Sequence, residues 1–384
     1  MPKDLLTQYP GIRYLEAKAQ KRMPGFSWEY LDQGTGTDRA KDRNVERLNE
    51  VLFTPEFAKG PLSPRTSTEV FGVTYSLPVG IAPVGLSGLL WPNSDRALAQ
   101  TAATRRIPHV LSTVGTGSIE EIGPMTTGMG WFQLYPPREA GLRTELIARV
   151  ADAGFTTLVV TADVPAASRR ERQTRAQLTL PPKIGPRLVA QSVLRPAWSL
   201  SILRNGLPRF RALEAHMDST TLADAAGFVG AHLGGTFDWD YLRDLRQIWD
   251  GPLVVKGILH GADAELAVEA GADGVVVSNH GGRQLDAAPA AIDTLPSVVS
   301  AVGDATTVMF DSGIRGGLDV ARAMAFGAQF CFCGRAFMFG LGALGDVGPD
   351  HVTTLIELEL LSVMHQLGIE SLDQLADRNP HFAT

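Results

Sequence analysis

The stretch Ser278-Asn279-His280-Gly281-Gly282-Arg283-Gln284-Leu285-Asp286 puts a histidine and an arginine three residues apart on a turn softened by two glycines. A histidine can take a proton near neutral pH, and an arginine can grip a carboxylate through two parallel hydrogen bonds. The pair suggests proton removal from a molecule that carries a carboxylate. A His–Arg pair alone is more often a surface or structural feature. Here, however, Gly281 and Gly282 let the backbone turn sharply or approach a ligand closely. Upstream, Gly274-Val275-Val276-Val277 reads as a buried strand. The turn therefore follows a strand's carboxyl end, where parallel α/β proteins place their chemistry.

Such a turn needs a scaffold of further strands. Short β-branched runs recur at 78–82, 109–112, 131–135, 158–162, 253–256, 275–278, 308–311 and 330–333. Stretches of helical periodicity lie between them, among them 95–105, 140–153, 240–249, 263–270 and 317–326. Eight strands alternating with helices predict a (β/α)8 TIM barrel of the α/β class, with a doubly wound sheet as the alternative. Residues 1–70 form an N-terminal, mainly helical segment, 71–384 the barrel, and 350–378 its closing helices. The whole chain is read as one domain. The fourth and fifth strands stand about 90 residues apart, far beyond an ordinary connection, so a long insertion is expected over about 172–235.

Each strand ends in a polar residue or pair: Ser112, Gln133 and Tyr135, Thr161 and Asp163, Lys256, Ser278 and His280, Asp311, then Gly334 and Arg335. Solvation alone does not explain a ring with so many different donors, acceptors and charges. The last two endings, Asp311-Ser312-Gly313-Ile314-Arg315-Gly316 and Gly334-Arg335, are glycine-rich turns with arginines after strands seven and eight. This barrel commonly binds phosphate there, through backbone N–H groups and a helix N-terminus. A cofactor anchored at that point lies across the barrel mouth. Ser112, Gln133 and Thr161 could bond the edge of its ring, and Lys256 would set a positive charge beside it. A flavin needs such a cation, because reduction leaves negative charge on the ring. FMN is the expected cofactor, since no motif for the adenylate half of FAD or NAD is evident.

Composition narrows the alternatives. The 384 residues are 44% hydrophobic, ample for a large core, and the net charge of −6 argues against a nucleic-acid partner. The first 30 residues show no signal-peptide pattern, and no run is long and apolar enough for a transmembrane helix. The two cysteines, Cys331 and Cys333, would share one face of a strand, poor geometry for a mutual disulfide. They read as core residues of a cytoplasmic protein or one on the membrane's inner face. No metal site is expected.

From about Tyr9 to Leu375 the chain resembles the FMN-dependent L-2-hydroxy acid dehydrogenases and oxidases. The resemblance rests on the segment Ser278–Asp286, on Ile81-Ala82-Pro83, Trp131-Phe132-Gln133-Leu134-Tyr135, Val255-Lys256-Gly257 and Asp311-Ser312-Gly313-Ile314-Arg315. Leu86 to Trp91, Leu111-Ser112-Thr113 and Trp198-Ser199-Leu200 look most like the bacterial respiratory members, which act on L-lactate or L-mandelate. The resemblance implies that His280 is the catalytic acid/base, taking the hydroxyl or α-carbon proton, and that Asp163 holds its other nitrogen. It implies that Arg283 and Arg170 grip the substrate carboxylate, helped by Tyr30, and that Tyr135 bonds the substrate oxygen. Ala82, Pro83, Val84, Ser112, Gln133, Thr161, Lys256, Ser278, Asp311, Gly313, Arg315, Gly334 and Arg335 would hold FMN. A 2-hydroxy acid would be oxidised to the 2-oxo acid, with a quinone or other respiratory component taking the electrons; an oxygen-using oxidase is the alternative. A homotetramer is implied as well.

The chain departs from many relatives at Gln173, Ala176 and Gln177, and has Val114 and Ala167 where larger residues often stand, which should enlarge the pocket. Gly85 stands where strong oxidases usually carry alanine, which points to oxygen as a poor acceptor. His109, His216, His232, His260, His351 and His365 have no evident partner and read as structural or exposed. Rival readings are another FMN-barrel chemistry and an inactive binding barrel; the former would not need two arginines beside His280.

From Arg172 to Leu213 there are eight Lys or Arg residues and no Asp or Glu, interleaved with Leu188, Val189, Val193, Leu194, Trp198, Leu200, Ile202, Leu203, Leu207 and Phe210. Cations mixed with large apolar side chains suit an anionic membrane surface. Pro186, Pro196, Gly206 and Pro208 should break the segment into pieces too short to span. A basic active-site lid or a subunit contact is the alternative.

Overall fold

Val, Leu, Ile and Phe dominate the strands because each strand is covered on both faces, by helices outside and by facing strands inside. The computed structural model describes residues 3–176, 178, 185–217, 222–234, 237–378 and 380–382, and closes eight parallel strands into one barrel. They are β1 (Val79–Ile81), β2 (His109–Ser112), β3 (Gly130–Leu134), β4 (Thr157–Thr161), β5 (Leu253–Ile258), β6 (Gly274–Val277), β7 (Thr307–Phe310) and β8 (Phe330–Cys333). Each pairs with the next, and β8 returns to β1 with Cys331 opposite Val79 and Cys333 opposite Ile81. The expected TIM barrel is the fold, and the doubly wound alternative is excluded by this closure. Strand limits differ from the sequence reading by a residue or two. The largest change is in β5, which continues past Lys256 to Ile258 through a register shift at Gly257. Cys331 and Cys333 are buried free thiols of the barrel wall.

The barrel floor is sealed by a hairpin, Thr68–Val70 with Val73–Tyr75. Trp131 on β3 donates to the Tyr75 hydroxyl at 3.1 Å, and its ring packs on Phe71 and Phe332. The amino end of the barrel is thus filled with aromatic side chains, and the opposite end stays free for ligands.

Helices Lys3–Gln8, α1 (Ile12–Arg22), α2 (Gly25–Asp32) and α3 (Arg39–Asn49) make up the N-terminal segment. The connection after β4 carries α4 (Glu171–Arg175), α5 (Pro186–Val193), α6 (Pro196–Asn205) and α7 (Leu222–His232). Pro186 and Pro196 open α5 and α6, and Gly206 follows the latter, so the expected breaks fall where proline suits a helix start. Trp198 anchors α6 inward: its ring meets Phe26 edge-on at 5.6 Å, and its indole donates to Leu89 O at 3.3 Å. The end of α7 is stitched to the loop after β3, where Arg138 N–H donates to His232 O and Gly234 N–H to Pro136 O. Later helices include α8 (Gly317–Ala325) and α9 (Arg335–Leu344), against which α1 packs.

Candidate active site

Past β6 the chain turns through three residues with positive φ: His280 at 59°, Gly281 at 64° and Gly282 at 75°. A non-glycine residue in this region is strained, so its surroundings must hold it. Ser278 Oγ accepts the His280 backbone N–H at 3.0 Å, and Ser312 Oγ accepts those of Asn279 at 3.2 Å and Gly281 at 3.0 Å. A Cβ on Gly282 would stand 2.3 Å from the Lys41 nitrogen of α3, so only glycine lets these backbones meet. Asn279 and Asn44 exchange amide hydrogen bonds of 2.7 Å in both directions beside that contact.

The turn delivers His280 Nδ1 to Asp163 Oδ1, 2.8 Å away and two residues beyond β4. Asp163 is backed by the bulge in β5, where a Cβ on Gly257 (φ 109°) would fall 2.5 Å from Asp163 Cβ. Burial pushes the Asp163 carboxyl up, but the charge and hydrogen bond of His280 outweigh it and hold it below the usual range. Burial pushes the His280 imidazole down; Asp163 works against this, while Lys256 and Arg170 add to it, and the net direction is down. His280 therefore rests neutral at neutral pH, with a carboxylate ready to stabilise its cation. That is the state a general base requires.

Arg283 donates to the carbonyls of Tyr30 at 3.0 Å and Gln33 at 2.9 Å and lies 5.3 Å over the Tyr30 ring. Burial first, then the nearby charge of Arg170, pushes its pKa down to about 9. Both effects favour an anion in front of the two guanidiniums. Tyr30 donates its hydroxyl to Gly85 O at 3.2 Å. Burial and then the Asp163 charge raise the Tyr135 phenol, which stays protonated as a donor.

Across the mouth lies a polar layer. Gln133 donates to Thr161 Oγ1 at 2.9 Å and accepts from Ser112 Oγ at 2.6 Å. Lys256 Nζ reaches Ser278 Oγ at 2.8 Å and Asp311 at 3.0 Å. Burial opposes its charge, yet Asp311 and Asp163 raise its pKa, so the ammonium persists. Gly334 caps α9 and Gly316 caps α8, so two helix N-termini flank the turns after β7 and β8. The Arg335 guanidinium lines the cavity and donates to the carbonyls of Leu31, Gly281 and Gln33 at 3.1, 3.0 and 2.8 Å, three of its five N–H groups. This position also offers an anion the start of α9. Arg315 donates to Ile314 O at 3.0 Å and lies over the Phe339 ring. A buried ammonium, an amide-bearing layer and two glycine-capped helix starts around one opening fit a flavin mononucleotide.

All the sequence-predicted site residues except Asp163, Ser112 and Ser278 line one cavity of about 310 Å³, and those three bond directly to residues that do. Apolar walls complete it: Leu86, Leu90 and Val114 from the loops after β1 and β2, with Phe210, Val229 and Leu233 from the insertion. Val114 lies in the pocket as expected. Ala167 is exposed and outside the cavity lining. Gln173 is buried and pairs with Gln33 through bonds of 3.0 and 2.8 Å; Gln177 lies outside the described residues. None of the other seven histidines lines the cavity. His109 is buried and pushed down to about 4 by burial, and His351 bonds Tyr9 O at 2.9 Å. His216 and His232 pair with Glu145 and Glu139 near the surface, and His260 caps a helix. Among the described residues no cluster could hold a metal ion. The reading of the sequence missed Gln33, Asn44, Ser312 and Arg172. Most of their partners stand more than 100 residues away, and no local pattern marks them.

A family model described as FMN-dependent dehydrogenase matches residues 19–381. An L-lactate dehydrogenase of Caulobacter sp. (strain K31) is 39% identical over 359 residues, covering 93% of this chain and 94% of the relative. Another, from Xanthomonas euvesicatoria pv. vesicatoria (strain 85-10), is 39% identical over 362 residues, covering 94% and 93%. The crystal structure of (S)-mandelate dehydrogenase, described as a monotopic membrane protein, superposes with a TM-score of 0.90 at 33% identity, covering 97% of this chain and 99% of that one.

Proposed function

We propose a substrate, an electron acceptor and a location for a chain that belongs to the FMN-dependent dehydrogenase family and oxidises 2-hydroxy acids with FMN as its cofactor. Bound FMN supplies the two-electron acceptor; the chain's residues hold the substrate and move its proton. Arg170 and Arg283 take the carboxylate as paired guanidinium contacts, with Tyr30 beside them. Tyr135 donates to the substrate oxygen. His280 accepts the proton, and Asp163 stabilises the imidazolium so formed. The cofactor residues are those of the sequence reading, with Lys256 supplying the charge beside the ring, and the whole chain acts as one domain. The observation that carries this reading is the His280–Asp163 pair of 2.8 Å, whose histidine shares a cavity with both arginines and with the glycine turns.

The substrate is an L-2-hydroxy acid with an apolar side group, L-lactate or an aryl acid such as L-mandelate, which the walls of Leu86, Val114, Phe210 and Leu233 would receive. Anaerobic bleaching of the bound flavin by a panel of L- and D-2-hydroxy acids tests this. The L-acids should bleach it and the D-acids should not. A flavin that no 2-hydroxy acid bleaches would overturn the reading and favour a different FMN chemistry or an inactive barrel.

The electrons pass to a membrane quinone or another respiratory component, and the protein sits on the inner face of the cell membrane. Val193 and Leu194 are each 70% exposed, Leu203 80% and Leu207 64%, with Val189 and Leu200 about half exposed, all on α5, α6 or the residues just after them. Such a concentration marks a contact surface, and the neighbouring cations suit anionic lipid. Among the described residues no single helix is long and apolar enough to cross a membrane, so the contact is peripheral. Sedimentation with anionic vesicles at low salt should carry the protein down, and replacing residues 183–213 with a short polar linker should release it. Equal sedimentation of both forms refutes the docking. Peroxide formed as fast as an artificial dye is reduced would favour the oxidase alternative. A homotetramer, as the family resemblance implies, is the expected assembly.

A further inference from the structure

We infer that Arg172 is a positioning residue that sets the spacing of the two substrate-gripping arginines by tying the loop of Arg170 to the N-terminal segment. This rests on Arg170 and Arg283 being the carboxylate grip. Arg170 follows β4 and Arg283 follows β6, and β5 stands between these strands, so the barrel ladder does not join the two loops directly. Residues 29–38 join them instead. On the β6 side, Arg283 donates to Tyr30 O and Gln33 O, and Thr35 N–H donates to Gly282 O at 3.0 Å. On the β4 side, Gly36 N–H and Thr35 Oγ1 donate to Arg169 O at 3.0 and 2.9 Å, and Gln33 pairs with Gln173.

Arg172 adds the ionic part of this junction. Its Nε meets Glu29 at 2.5 Å, and its Nη1 meets Asp32 at 2.8 Å and Asp38 at 2.7 Å. Glu29 and Asp32 bracket Tyr30 and Leu31 on α2, whose carbonyls receive Arg283 and Arg335. Three carboxylates on one guanidinium leave excess negative charge, which Lys41 offsets in part from 3.4 Å at Asp32 and 3.8 Å at Asp38. Removing Arg172 would do two things at once. It would cut the tether two residues from Arg170, and it would leave three carboxylates facing one lysine, which pushes the segment outward. The base has separate anchors, the bulge at Gly257 and the hydroxyls of Ser278 and Ser312, so substrate binding should suffer more than the chemical step.

The test is Arg172→Met in the FMN-loaded enzyme. A misplacement of about 1 Å costs about 10²-fold in a well-built site. The expected result is a KM raised about 10- to 100-fold, with kcat falling about threefold or less and FMN content unchanged. The Kd of oxalate, a dianion with no α-hydrogen to lose, should rise in parallel when followed by perturbation of the flavin spectrum. Arg172→Lys should recover part of the loss, and Arg175→Met, at an exposed position on the same helix, should change nothing. Glu29→Gln removes one of the three contacts and should raise KM severalfold, so a poorly folding Arg172→Met does not end the test. In an Arg170→Met background, Arg172→Met should add less than about threefold, because a residue acting through another is not additive with it. A wild-type KM in Arg172→Met, or a full additive penalty in the Arg170→Met background, overturns the inference while leaving the grip intact. A wild-type KM in Arg170→Met alone removes the grip and this inference together.

Discussion

Replacing Asp163 with Asn isolates the charge behind the base. The amide oxygen of Asn can still accept from His280 Nδ1, so the 2.8 Å contact and the ring's orientation survive while the negative charge goes. His280 and Asp163 form an ion pair once the substrate proton has been taken, with charge centres about 4 Å apart. At an effective dielectric of about 20, such a pair is worth about 4 kcal/mol. The retained hydrogen bond offsets a small part, so the reaction barrier should rise by about 3–4 kcal/mol, a loss of about 10²–10³-fold in rate. The pH profile gives a second reading. His280 must be neutral to accept a proton, so kcat/KM falls as pH drops through its pKa, which lies below the usual 6.5. Asp163 raises that pKa, so the variant's acid limb should move to still lower pH while its plateau drops. Stopped-flow anaerobic reduction of the bound flavin between about pH 5 and 9 measures both. A rate within fivefold of the natural protein, or an acid limb moved upward, would refute the assigned role of Asp163.

Other substitutions separate the remaining roles. His280→Gln should keep FMN bound, since Lys256 and the turns after β7 and β8 are untouched, while flavin reduction by substrate falls about 10²–10⁴-fold or more; reduction near the natural rate removes His280 as base. Arg283→Lys should raise KM and also slow turnover, because an ammonium makes no bidentate pair. Unchanged steady-state constants would show that Arg283 does not touch the carboxylate. Gly257→Ala should lower the thermal midpoint, by about 1–3 kcal/mol of stability, because its Cβ would fall 2.5 Å from Asp163 Cβ. The same variant should slow flavin reduction as Asp163 is displaced, and an unaltered midpoint and rate would mean that the bulge does not support the base.

The barrel was legible in the chain because its strands are short apolar runs with polar endings, a local pattern that repeats eight times. The residues proposed as base and carboxylate, and the polar layer, could be picked out for the same reason: each lies on a strand or within three residues of its end. What lay beyond reach is the packing of distant segments. Nothing near Arg172 announces Glu29, Asp32 and Asp38, which stand 134 to 143 residues away. Asn44 sits in an ordinary helix, and only the fold brings it to Asn279, 235 residues on. Arg335 shows the same limit. Its place after β8 suits a phosphate, but nothing near it announces the carbonyls at the end of α2 that its side chain also meets.

Those carbonyls also impose an order of events on a chain being synthesised. Gln33 leaves the ribosome early, and its partner Arg335 follows 302 residues later. At roughly 5–20 residues per second, that interval lasts roughly 15–60 s. Through all of it the residues at the end of α2 lack Arg335, for most of it they lack Arg283 as well, and the apolar side of α1 lacks α9. Closing a loop of that length is entropically costly and slow to search, so the last contacts to form should be those that complete the catalytic pocket. The nascent protein would thus be incapable of turnover until α9 had emerged. A chain cut short before residue 335 should persist as an aggregation-prone, chaperone-bound species, not as a weak enzyme.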